Sequence, residues 1–231
     1  MKVKIWSDVM CPFCYIGKKN FETALDKLPF REEVEIEWKS FQLDPTISSE
    51  DSPQTVNEYL AQRKNMPLEQ IEMMQNRVKE MGSKVGIDFK QENSLIANTF
   101  LAHQLIQYAK TKGKANALEE LLFLSYFTHG ENIGDPNVLQ QIGEKLGLPS
   151  EEIANALNTD LYKYEVSQDI AEAKNIGVTG VPFFVFEDKY AVSGAQPVEL
   201  FIDALSQTYN EALQTKSSNP NDSSCSIEGC D

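Results

Sequence analysis

Between Cys14 and Cys225 the chain contains no cysteine. A disulfide framework would spread its cysteines through the core, so this gap argues against one. Long apolar runs are missing too: no stretch approaches the ~18 residues that a membrane-spanning helix requires. The N-terminus shows no charged leader followed by an apolar segment and a small-residue cleavage site. No secretory signal is therefore expected, and the expected compartment is the cytosol. Cations are scarce, with 21 Lys and Arg against 35 Asp and Glu, for a net charge of −14. That balance argues against nucleic acid, whose phosphates require clustered cations, and against anionic membrane surfaces; its plain consequence is solubility. No internal repeat is visible. The 231 residues suffice to bury a core, as one large domain or two small ones.

What the chain does have is two close cysteine pairs, Cys11 with Cys14 and Cys225 with Cys230. Short-spaced pairs in a cytosolic chain point to catalysis or metal binding. The first pair follows the apolar run Val3-Lys4-Ile5-Trp6 and precedes a helical pattern of Ile16, Phe21, Ala24, Leu25 and Leu28. The pattern predicts a strand over 2–7, a sharp turn, and a helix from Pro12 to about Leu28. Pro12 suits a first helical turn, where its missing N–H costs nothing. Residues 33–38 alternate, with Val34, Ile36 and Trp38 against Glu33, Glu35 and Glu37, which predicts a half-exposed strand at a sheet edge.

The pattern then turns helical. Ser52-Pro53 reads as an N-cap with proline at the first helical position. Helices are expected through Ile71 to Val85 (stopping at Gly86), Leu95 to Ala109, Ala117 to Phe127, a segment capped by Asp135-Pro136 and stopped by Gly147, and about 151–157. A helix over about 160–176 leads to a strand from Gly180 to Phe186, a turn at Glu187-Asp188-Lys189, a strand at 190–193 and a last helix after Gln196-Pro197. From about Lys216 the chain is rich in Ser, Asn, Asp and Pro and is expected to be mobile.

This order of elements resembles the thioredoxin superfamily, and more narrowly its DsbA-type branch. Cys11-Pro12-Phe13-Cys14 follows strand one. Gly180-Val181-Pro182-Phe183 matches the family's cis-proline strand. Asn98-Thr99-Phe100-Leu101-Ala102-His103, and Gly194-Ala195-Gln196 after the last strand, are similar to the FrnE-like subgroup, some members of which also carry a C-terminal cysteine pair. The resemblance covers about residues 1–212. It implies an α/β thioredoxin fold (βαβ…ββα) with an all-helical domain inserted between the halves. Residues 1–45 and 158–212 would form the thioredoxin-like domain, 46–157 the helical insertion and 213–231 a flexible tail.

The chemistry follows from the position of the thiols. A helix N-terminus presents free N–H groups and partial positive charge, which favour a thiolate. Cys11 is therefore the expected nucleophile and Cys14 the resolving thiol. The resemblance places Pro182 beside Cys11 as part of the catalytic site. Pro12, Phe13, Val181 and His103 are the expected substrate-side residues. Within its helix, His103 also fits an ordinary core or domain-junction residue. Asn98 is expected to hydrogen-bond a loop across that junction. Met66, Met73, Met74 and Met81 fit either core packing or a permissive groove.

Cys225 and Cys230 read either as a second redox pair, on a linker with an r.m.s. reach of roughly 20 Å, or as a clip on a turn. Zinc held by all four cysteines is a competing reading, disfavoured by Pro12 and the helix behind it, so no metal is expected. The implied activity is protein thiol–disulfide exchange, as oxidase, reductase or isomerase, on polypeptide thiols or disulfides. It needs no cofactor. Glutathione as co-substrate and a thioredoxin-type reductant fit as partners, and a homodimer is compatible. Two alternatives stay open. One is a glutathione-dependent enzyme similar to kappa-class transferases and 2-hydroxychromene-2-carboxylate isomerases, which typically carry serine at the position of Cys11. The other is a redox- or zinc-responsive binding module.

Overall fold

The computed structural model describes residues 1–48, 54–63, 65–90 and 94–217. Four strands form one sheet: β1 (Lys2–Ser7), β2 (Glu35–Ser40), β3 (Phe183–Phe186) and β4 (Tyr190–Ser193), in the order β2-β1-β3-β4. β1 and β2 are parallel, from Lys2 opposite Glu35 to Ser7 opposite Ser40. A parallel pair needs a crossover, and α1 (Pro12–Asp26) provides it. β3 runs antiparallel to both β1 and β4. Glu187 and Asp188, at φ 50 and 53, make the tight turn between β3 and β4.

Alternation along β1 sorts its side chains onto two faces. Val3 and Ile5 join a core with Phe21, Phe184, Phe186 and Phe201, beneath α1 and the last helix, α9 (Val198–Ser217). Lys4 and Trp6 point the other way. There the Trp6 indole N–H donates to the Asp169 carbonyl at 3.0 Å and Lys4 pairs with Glu172 at 3.2 Å. Asp169 and Glu172 belong to α8 (Asp160–Asn175).

Between β2 and α8 lie six helices: α2 (Val56–Arg63), α3 (Leu68–Ser83), α4 (Phe100–Thr111), α5 (Ala115–Phe127), α6 (Pro136–Lys145) and α7 (Ser150–Asn158). Their core is continuous with that of the sheet: Leu105, Leu122, Phe123 and Leu139 belong to the same buried cluster as Val3 and Ile5. Among the described residues no helix is long and apolar enough to cross a membrane.

Most elements lie where the periodicity predicts, and the departures have local causes. The second strand starts at Glu35, because Arg31–Glu33 form a short 3-10 turn. The helix expected from Leu95 starts at Phe100. Leu95 pairs instead with Thr55, Ile96 N–H donates to the Gln54 carbonyl, and the Asn98 side chain accepts from Phe100 N–H. The strand expected from Gly180 starts at Phe183, after a proline that has no N–H for a ladder. The N-cap expected at Ser52-Pro53 lies outside the described residues. The described helix there opens at Val56 behind a capping box: Glu58 accepts from the Thr55 N–H at 2.8 Å, and the Thr55 hydroxyl accepts from Glu58 N–H at 3.3 Å. Asp135 caps α6, and Gly147 at φ +69 follows that helix.

Candidate active site

Parallel β1 and its crossover α1 meet in a turn that carries both cysteines. Cys11 is the N-cap of α1, with extended backbone angles (φ −92, ψ 114), and Pro12 is the first helical residue. The Cys11 N–H donates to the Asp8 carbonyl at 2.9 Å and Cys14 N–H to the Cys11 carbonyl at 3.0 Å. The turn is thus held at both ends by backbone bonds, with Cys11 at the N-terminus of α1, where its side chain makes no capping hydrogen bond. Both cysteines are free thiols; Cys11 is 4% exposed and Cys14 1%.

Pro182 lies in the loop before β3, and the Val181–Pro182 peptide is cis. The Cys11 thiol donates to the Val181 carbonyl at 3.6 Å. Gly194 N–H donates to the Pro182 carbonyl at 2.8 Å, anchoring the loop to the end of β4. From α1, Gly17 makes room for the Pro182 ring: a Cβ there would stand 2.9 Å from Pro182 Cγ. Nothing in the spacing of α1 singles out Gly17, because its partner lies more than 160 residues away in the chain.

The two thiols have different surroundings. Burial pushes the Cys14 thiol well up, and the neighbouring Cys11 sulfur adds to the rise; the Asp8 backbone N–H and the Ser7 hydroxyl pull the other way. Behind the turn sit two carboxyl groups that the sequence did not single out, those of Asp8 and Glu119. The Asp8 carboxylate accepts from Leu43 N–H at 2.7 Å and from Met10 N–H at 3.4 Å. His103 Nε2 lies 3.7 Å from it. Glu119 on α5 is also buried; burial raises its carboxyl to about 7, Asp8 adds to the rise, and His103 and Lys18 oppose it. His103 Nε2 and Glu119 Oε2 are buried with no hydrogen-bond partner.

In front of Cys11 opens a cleft of about 320 Å³, bounded by the Cys11–Cys14 turn, by Val181, and by α2 and α3. Pro12, Phe13, Val181 and Met10 line it. His103 is not among the lining residues; it lies on the far side of the turn, against Asp8. Of the four methionines noted above, Met74 lines the cleft, Met81 packs against the core and Met73 is exposed. Asn98 bridges α4 to the loop after β2, donating to the Ile47 carbonyl at 2.7 Å.

Cys225 and Cys230 lie outside the described residues. The helix that leads toward them, α9, starts near the Cys11 end of the sheet, where the Gln196 carbonyl accepts from Asn20. It passes the opposite end at Tyr209, which stacks on Phe30 at 3.9 Å and bonds Glu33 at 2.7 Å. Over 20 residues such a helix travels about 30 Å away from Cys11.

Comparison with known proteins places this geometry in context. The model of the DSBA-like thioredoxin domain family matches residues 2–206. YwbO of Bacillus subtilis (strain 168), an uncharacterized protein, is 31% identical over 206 residues, covering 88% of this chain and 95% of its own. The crystal structure of SCO1869 from Streptomyces coelicolor, described as a probable DsbA oxidoreductase, superposes with a TM-score of 0.86 at 36% identity, covering 91% of each chain. The cytosolic disulfide reductase DsbM of Pseudomonas aeruginosa, solved with GSH, shares the fold, with a TM-score of 0.64 at 13% identity over 91% of this chain and all of its own.

Proposed function

The chain belongs to the DSBA-like thioredoxin domain family, and on that premise we propose that it is a cytosolic protein thiol–disulfide oxidoreductase that works through Cys11 and Cys14. One observation carries this reading: Cys11 is the N-cap residue of α1 and its Sγ lies 3.6 Å from the Val181 carbonyl, at the mouth of a cleft, with Cys14 buried behind it. With its proton held by burial, Cys14 is the reserve thiol and Cys11 the attacking one.

The reduced protein attacks a substrate disulfide through the Cys11 thiolate. A Cys11–substrate S–S bond forms, the substrate S–S bond breaks, and one substrate thiolate leaves. Cys14 then gives up its proton and attacks Cys11 Sγ, releasing the second substrate thiolate. The substrate gains two electrons and the protein keeps a Cys11–Cys14 disulfide. Run backwards, the same steps oxidise a dithiol; stopped at the mixed disulfide, they permit isomerisation. No cofactor takes part. Pro182 supports the loop that presents the Val181 carbonyl to Cys11, and Pro12, Phe13 and Val181 face the substrate. Glutathione or a thioredoxin-type protein would return the electrons, with the tail pair Cys225 and Cys230 as a second exchange site.

The test is single-turnover reduction of a disulfide-linked peptide by the fully reduced protein. Cys11→Ser should abolish release of peptide thiol, whereas Cys14→Ser should release one thiol and retain the other as an adduct visible by mass spectrometry. Undiminished turnover in Cys11→Ser would overturn the proposal.

A further inference from the structure

Opening a disulfide leaves a negative charge on the departing sulfur, and among apolar walls that charge needs a hydrogen-bond donor. Several groups near Cys11 cannot supply one. The Val181 carbonyl, 3.6 Å from Cys11 Sγ, is an acceptor. Pro12 has no N–H. α2 and α3 present Val56, Leu60, Met74 and Val78. Two long polar side chains in the wall are engaged: Tyr59 donates to the Asp44 carboxylate and Gln75 to the Asn57 side-chain carbonyl. We infer that the hydroxyl of Tyr126 is a catalytic donor, which hydrogen-bonds the sulfur that leaves when Cys11 attacks. This inference rests on the oxidoreductase reading.

Tyr126 stands one residue before the end of α5 and is 1% exposed, yet it lines the cleft together with Cys11. Hydrogen bonds to the backbone fix that end of the helix: the Ser94 hydroxyl donates to the Tyr126 carbonyl at 3.0 Å and Lys90 N–H to the Phe127 carbonyl at 2.8 Å. The ring stands edge-on to Phe127, with centroids 4.8 Å apart. A buried phenol normally finds a partner for its O–H. Among the described residues the Tyr126 hydroxyl has none. Burial pushes the phenol up, and the charge of Asp8 adds to the rise. The Asp8 carbonyl also holds Cys11 N–H, so the phenol and the Cys11 turn share one neighbour.

The step balances without transfer of the phenolic proton. The Cys11–substrate S–S bond forms, the substrate S–S bond breaks, and the leaving sulfur takes the electron pair as a thiolate. An ordinary thiol titrates near 8.5, well below a phenol raised by burial, so the proton stays on the Tyr126 oxygen. The hydrogen bond strengthens as charge develops on sulfur. It therefore acts on the transition state more than on the intact disulfide. The thiolate takes its proton from water after it leaves the cleft.

The experiment uses the fully reduced, full-length protein in single turnover with two disulfides of one uncharged peptide. The symmetric disulfide expels a peptide thiolate. The mixed disulfide with 5-thio-2-nitrobenzoate expels an aryl thiolate whose charge is spread over its ring. The electrons come from Cys11 and Cys14, and the readout is the rate at which the first thiolate is released. Tyr126→Phe keeps the ring and removes the hydroxyl. It should slow the symmetric disulfide by about tenfold or more, as loss of one hydrogen bond to a charged group implies, and the aryl disulfide by less than about threefold. Equal slowing of the two would mark a structural role, and no slowing of either would remove the hydroxyl from the chemistry; each result would overturn the inference and leave the redox reading intact. Should the variant not fold, the parent protein decides alone. Across a series of leaving thiols its rates should depend less on thiol acidity than those of dithiothreitol with the same disulfides, and an equal dependence would overturn the inference. No thiol release from either disulfide by the parent would overturn both.

Discussion

His103 Nε2 on α4 lies 3.7 Å from Asp8 Oδ1 at the end of β1, and neither side chain is more than 1% exposed. The contact is an ion pair whenever the imidazole carries its second proton. It joins α4 to the residue whose carbonyl holds Cys11 N–H and whose carboxylate holds Leu43 N–H. It is one of several contacts between these helices and the Cys11–Cys14 turn, alongside the stacking of Tyr15 on Phe123.

His103→Ala should lower stability by roughly 1–3 kcal/mol, because it leaves a buried carboxylate with one fewer partner. Urea unfolding followed by circular dichroism measures this. A variant as stable as the parent would show that Asp8 is satisfied by its backbone donors alone.

Glu119 makes stability depend on pH with a definite sign. Its carboxyl titrates near 7 in the folded chain against the ordinary value of 4.5. Between those values the folded state holds the proton more tightly than the unfolded state, so stability falls as pH rises from about 4.5 to about 7. Glu119→Gln should flatten that slope, gaining up to a few kcal/mol over the parent at pH 7 and little at pH 4.5. Unfolding curves at several pH values decide it; parallel profiles would place the proton elsewhere.

Gly17→Ala should destabilise the chain and slow disulfide exchange. Alanine favours a helix by about 1 kcal/mol over glycine, but here its Cβ would press within 2.9 Å of Pro182 Cγ. Displacing the ring shifts the Val181 carbonyl that faces Cys11. A net loss of roughly 1–2 kcal/mol is expected from overpacking, together with a several-fold drop in exchange rate. A stabilised variant with full activity would mean the loop gives way freely.

The tail pair should exchange with another copy more readily than with its own active site. Cys225 follows the last described residue, Ser217, by eight positions, a span of at most about 29 Å. α9 has by then travelled about 30 Å from the Cys11 end of the sheet. In a variant lacking Cys14 and Cys230 and oxidised with dissolved oxygen, non-reducing electrophoresis should show disulfide-linked dimers that increase with protein concentration. A monomeric Cys11–Cys225 species independent of concentration would contradict this.

The Cys11–Cys14 turn, the helix caps and the strand alternation were legible because each is a local property. Cys11, Pro12 and Cys14 lie within one turn of helix, Asp135 caps the helix that starts at the next residue, and β1 alternates over six residues. Pro182 was legible only through family resemblance, since no local pattern ties it to Cys11. Tertiary structure alone decided the rest. Asp8, His103 and Glu119 come from three elements and became one buried charge cluster only when those elements packed. Tyr59 and Gln75 read as ordinary polar positions until packing set them in the wall of an apolar cleft, donating to Asp44 and Asn57. The direction of α9, which sets the reach of the tail, depends on Tyr209 meeting Phe30 at the far end of the sheet. Periodicity records which face of an element avoids water; what that face meets, and whether a charge there is stranded, is settled by contacts between residues far apart in the chain.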